Sequence, residues 1–153
     1  MSIQKPGRHI IKIGEHFLVK YGKNVDFTEG ENMLIVHQHT TLPIPALYAM
    51  YHHKPSGHNV IIMEFIEGEV LSGRYDNLDV KQKASIGAQL RRHLSELRKI
   101  PSAGLYGLLG GRPYLAHSWI FKTRAGPFKS AGAFLEAYFN AQFSDVAPKY
   151  YAA

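Results

Sequence analysis

A lysine closing an otherwise apolar strand, with two carboxylates a few residues further on, is charge placed where burial is expected. In "HFLVKYGKNVDFTEGEN" the lysine is Lys20 and the carboxylates are Glu29 and Glu31. An ammonium in such a place can hold a phosphate oxygen as a point charge. It then needs an opposite charge nearby to stay oriented and protonated in a half-buried cleft. The plainer alternative is a lysine whose stem lies along apolar surface with its head in water.

Other chemistry-bearing groups are weaker. Nine histidines invite a metal site, but His37 and His39 are two apart on a helical stretch and point in different directions. His52, His53 and His58 flank a turn with no acidic cluster beside them, so no metal is expected. "GLYGLLGGRP" is glycine-rich, yet it lacks the Gly-Lys-Ser/Thr ending of a phosphate loop and follows no strand at dinucleotide-binding spacing. It is an irregular connection. The net charge of +6 favours anionic partners. Its densest clusters, Arg91-Arg92 and Arg98-Lys99, fall on one helical pattern and suit a solvated face. A basic nucleic-acid-binding protein is the alternative class, without a helix-turn-helix, finger or aromatic-basic sheet motif behind it.

Elements must position the lysine and its partner. "HIIKIGEHFLVKYG" predicts a hairpin turning at Gly14-Glu15, with Lys20 on the face of Leu18. "FTEGENMLIVHQHT" predicts a short helix in which Thr28 and Glu31 form a capping box. Glu29 shares a face with Met33 and Val36, whereas Glu31 lies about 200° away from it at roughly 100° per residue. The two glutamates therefore take different roles, Glu29 toward the core and Glu31 at the cap. "TLPIPALYAMYHH" starts extended at its prolines and continues as a strand. "HNVIIMEFIEGEVL" is the most apolar strand and breaks at Glu67-Gly68-Glu69. That makes four strands and one helix in the first 66 residues.

The chain then turns helical. "LDVKQKASIGAQLRRHLSELRKI" predicts a long helix capped by Asp79 with Gln82, stopped by Pro101, and burying Ile86, Leu90, Leu94 and Leu97 as a stripe. "KSAGAFLEAYFNAQF" predicts another, with Phe134, Leu135, Tyr138 and Phe139 on one side. The organisation expected is a sheet-rich lobe over 1–66, a linker over 67–74 and a helical part over 75–153. The 153 residues suit one domain or two small lobes. With no cysteine, no apolar run near the roughly 20 residues of a membrane helix, and no signal-like N-terminus, the expectation is a soluble cytoplasmic protein.

Four stretches in order, "VKYG", "HTTLPIPALY", "IIMEFIEGEVL" and "QLRRHLSELRKIPS", with a weaker fifth in "GPFKSAGAF", resemble the aminoglycoside phosphotransferase and choline kinase family, in particular its fungal branch. The resemblance implies an α+β, protein-kinase-like fold: an antiparallel sheet lobe with one helix, then an incomplete helical lobe. It implies ATP between them, with Mg2+ in the complete family member. Lys20 would meet the α- and β-phosphates and Glu29 would hold it in place. Met63, Glu64, Phe65 and Ile66 would form the hinge against the adenine. The parent reaction would be phosphorylation of a small-molecule hydroxyl acceptor.

The family also carries a His-Gly-Asp loop with an asparagine five residues after the aspartate. Asp26, Asp76, Asp79 and Asp145 are followed five on by Glu31, Lys81, Ala84 and Tyr150, and none follows His-Gly. Without that base and those metal ligands, phosphoryl transfer by this polypeptide alone is not expected. The chain would be a shortened gene product, an excised segment, or a non-catalytic remnant serving as an interaction module. The helical surface left open, including Tyr138, Phe139, Tyr150 and Tyr151, would promote self-association.

Overall fold

Alternating apolar and polar residues in "HIIKIGEHFLVKYG" form the hairpin they predict, as the computed structural model shows. It describes residues 2–101, 104–115 and 120–143, with side chains from Pro6 onward. The final "APKYYAA" stretch, with Tyr150 and Tyr151, lies outside the described residues. The fold is α+β, and the chain divides into two compact units, Met1–Ile100 and Pro101–Ala153. The expected linker at 67–74 falls inside the first unit, where it contains the single-turn 3-10 segment Leu71–Gly73; a second, Tyr75–Asn77, follows directly.

The first unit is built on a five-stranded antiparallel sheet rather than the four strands expected. The additional strand, β1 (Ser2–Lys5), lies at the edge against β2 (Arg8–Ile13). β3 (Phe17–Gly22) follows, then helix α1 (Thr28–His39), β4 (Leu47–His53) and β5 (His58–Glu64). The spatial order is β1-β2-β3-β5-β4, so the chain leaves the sheet after β3, forms α1, and returns at the far edge. The β2–β3 loop spans Gly14, Glu15 and His16, because Ile13 pairs directly with Phe17. It is one residue longer than the two-residue turn expected at Gly14-Glu15.

One face of the sheet carries the core. Ile61 and Met63 of β5 are buried with Val25, and Leu18, Phe27, Met33, Leu47 and Met50 pack around them. Helix α1 approaches β4 closely at its buried Gly30. A Cβ there would stand 2.8 Å from the Met50 sulfur. The predicted Thr28–Glu31 capping box does not form. Asp26 acts instead, its carboxylate accepting from the Thr28 amide at 2.7 Å. An aspartate two residues upstream offers a shorter reach to that amide than a side chain already inside the first turn.

Helix α2 (Val80–Leu97) starts as predicted. Asp79 accepts from the Gln82 amide at 2.8 Å, and the Gln82 side chain returns a bond to the Asp79 amide's hydrogen at 2.9 Å. Its apolar stripe departs from expectation: Leu90, Leu94 and Leu97 are 52%, 51% and 37% exposed, and only Ile86 is half-buried. The helix has no buried residue. Its amphipathic spacing formed the helix without supplying a surface to cover the stripe.

The second unit is held by aromatic rings. Phe121 is buried and contacts Tyr114, Phe128 and Phe134, with ring centres 5.3 to 6.0 Å apart. Phe134 and Tyr138 lie on the inner side of helix α3 (Ala131–Phe143) and stack with centres 6.3 Å apart. Leu135 and Phe139, expected on that same side, are 47% and 53% exposed. At 100° per residue they sit at the edge of the stripe, not at its centre. Burial raises the Tyr114 hydroxyl above its ordinary value of 10.0.

Candidate functional site

Lys20 lies on the core face of the sheet because β-strand side chains alternate. It pairs across the sheet with Ile10 of β2 and Ile61 of β5, just as Leu18 pairs with Lys12 and Met63. Beyond the edge of the packed core this face opens into a cleft of about 400 Å³, a size typical of small-molecule sites. Ile10, Leu18, Lys20 and Met63 form its floor. Its wall is Pro45 and the segment leaving β5, through Glu64, Phe65, Ile66, Gly68 and Val70. The lining is mostly apolar, and among the described residues Lys20 is the one cation in it.

Lys20 donates to the Glu29 carboxylate in an ion pair. The lysine side chain is 19% exposed and the glutamate 46%. The connection from β3 to α1 fixes this meeting. Asn59 of β5 donates from its side chain to the Val25 carbonyl at 2.8 Å, and buried Val25 anchors the loop in the core. Glu29 is then delivered by the first turn of α1, where the helix dipole favours a carboxylate. A pair half open to water contributes only about 0.5–1 kcal/mol to folding, so orientation of the ammonium is its larger effect. Glu31, without the cap, is half-buried on the same helix.

The segment after β5 is tied at its start and open beyond. Glu64 donates from its amide to the Ala46 carbonyl at 2.8 Å. Its carboxylate accepts from the Ala46 amide at 3.0 Å. The resemblance implies a hinge place for Glu64; its side chain also clasps the connection between α1 and β4. The Phe65 amide donates to the His16 carbonyl at 2.8 Å, and the Lys12 ammonium sits 4.1 Å from the centre of the Phe65 ring. From Ile66 to Glu69, no main-chain amide or carbonyl makes a hydrogen bond among the described residues. That stretch presents free donors and acceptors along an apolar wall.

The six residues that the resemblance points to are thus brought to one place. Lys20, Met63, Glu64, Phe65 and Ile66 line the cleft, and Glu29 reaches it through Lys20. Ile10, Lys12 and Pro45 were missed. The hairpin alternation that assigned Lys20 to the Leu18 face could have found the first two, since cross-strand partners share a face.

The remaining candidates stay apart from it. His52 and His53 are engaged through Nδ1 with Asn59 and Ser56, at 2.9 and 2.8 Å. Among the described residues no group of three or more His, Asp or Glu could hold a metal ion. Arg91, Arg92, Arg98 and Lys99 are exposed on or just after α2, with Lys99 paired to Glu96. No helix among the described residues is long and apolar enough to cross a membrane. The chain matches no protein-family model, no curated protein and no solved structure.

Proposed function

We propose that the cleft binds an adenine nucleotide, and that the sheet unit is the nucleotide-binding part of a kinase-like fold of the aminoglycoside phosphotransferase type. The observation that carries the reading is the Lys20–Glu29 pair, its lysine lining an apolar cleft and its glutamate delivered by a helix inserted between the third and fourth strands of a sheet ordered β1-β2-β3-β5-β4. A flat base fits between Ile10 and Leu18 on one side and the wall at Phe65 and Ile66 on the other. Its polar edge faces the unpaired backbone beyond Phe65. The Lys20 ammonium then meets the first phosphates, held in position by Glu29.

Magnesium does not fit as a resident ion, because the described residues offer no set of three ligands to it. It would arrive with the nucleotide and offset phosphate charge. Phosphoryl transfer to a small-molecule hydroxyl is the reaction that the resemblance implies for the family. The 153 residues hold no aspartate in the arrangement that chemistry needs, so binding alone is assigned to them.

Titration calorimetry with ATP and magnesium tests the reading, wild type against Lys20→Ala and Glu29→Gln. Saturable binding that weakens at least tenfold in Lys20→Ala is expected. Absence of any heat or thermal shift in the wild type would remove the nucleotide site and leave a sheet unit without ligand.

A non-catalytic interaction module is the second reading, favoured by the exposed Leu90, Leu94 and Leu97 stripe on α2.

A further inference from the structure

Resting on the nucleotide reading, we propose that Arg8 holds the terminal phosphates of the bound nucleotide, a task that backbone amides perform where a glycine-rich loop covers the site. Strand β2 sets out the geometry. Ile10 lines the cleft opposite Lys20. Lys12 and Arg8 stand two residues to either side of it, on the same face and each about 7 Å along the strand. Lys12 marks the base end, since its ammonium lies over Phe65. Arg8 therefore marks the opposite end, past Lys20, in the direction a phosphate chain must run.

On β3 no side chain covers Arg8. His9 pairs with Tyr21, so the next position on β3 is Gly22, which has no side chain to place on that face. A Cβ at Gly22 would stand 3.1 Å from the Arg8 Cα. Arg8 is exposed, and among the described residues it enters no ion pair.

The adjoining turn is unsuited to the task. Lys5 pairs with Arg8, so the β1–β2 turn is only Pro6-Gly7. Proline has no amide hydrogen. The Gly7 carbonyl is taken by the Asn24 amide at 2.9 Å and the Pro6 carbonyl by the Asn24 side chain at 3.4 Å, which fastens the turn to the end of β3. It cannot wrap a phosphate chain with a row of amides. Lys20 is itself partly neutralised by Glu29. The charge of a second and third phosphate therefore calls for another cation, and a guanidinium can meet it with a fork of N–H donors.

Calorimetry with adenosine, AMP, ADP and ATP, each with magnesium, tests this on wild type, Arg8→Ala and Arg8→Gln. Thermal melts confirm that each variant is folded. In the wild type, ATP is expected to bind at least tenfold tighter than adenosine. Both variants should lose most of the gain from AMP to ATP, while their adenosine affinity stays within about twofold. An unchanged ATP-to-adenosine ratio in the variants overturns the role of Arg8 and leaves the cleft assignment standing. Equal wild-type affinity for all four ligands does the same. No binding of any ligand overturns the cleft assignment, and the role of Arg8 with it.

Discussion

At the scale of single residues, the molecule separates groups that hold the fold from groups that hold charge in position. Glu29 is the second kind. Its partner Lys20 is mostly covered while Glu29 is nearly half open, so Glu29→Gln should lower stability by less than about 1 kcal/mol. The same change should weaken nucleotide binding measurably, and a urea melt beside a titration separates the two effects. Tyr114 is the first kind. Burial raises its folded pKa, so the neutral ring's contribution is fully present below the unfolded value of 10.0 and is lost as pH climbs through the folded one. Urea midpoints measured from pH 9 to 11 should fall, and Tyr114→Phe should flatten part of that slope. Lys20 was legible in the sequence because strand alternation fixes its face without knowledge of neighbours; Glu29, expected toward the core, is nearly half open, while Glu31, expected at the cap, is half-buried. The Glu64 clasp on Ala46 was not legible. The two residues are 18 apart, and their meeting depends on how the α1–β4 connection returns to the sheet.

At the scale of elements, local signals succeeded where they were self-contained. The Asp79–Gln82 box is complete within four residues, and it formed as written. Asp79→Ala should cost about 1 kcal/mol of α2 stability, seen as lower helicity by circular dichroism. The Thr28–Glu31 box carried the same kind of pattern and failed, since Asp26 lay within reach of the Thr28 amide and bound it first. The stripe on α2 failed for another reason. Spacing identifies an apolar face but says nothing of what lies against it, and Leu90 and Leu94 stand open. The edge strand β1 went unread because "SIQK" is too short and mixed to show alternation. Only pairing with β2 makes it a strand.

At the scale of the whole molecule, exposed Leu90, Leu94 and Leu97 on one unit, and Leu135 and Phe139 on the other, predict concentration-dependent self-association. Light scattering after size exclusion should show it, and Leu90→Glu with Leu94→Glu should reduce it; a monomer at all concentrations would contradict it. The sheet also depends on one crowded crossing. Gly22 has φ of +143°, and a Cβ there would meet the Gly7 carbonyl oxygen at 2.2 Å. Gly22→Ala should therefore destabilise the unit by roughly 2–4 kcal/mol, read from denaturant unfolding. That crossing couples two positions well apart in the sequence. The shortness of the first turn forbids a side chain at 22, and the bare strand end at 22 is what allows the turn to be short. In lineages sharing this fold, a lengthened first turn and the first non-glycine at position 22 should appear together, with the turn changing first.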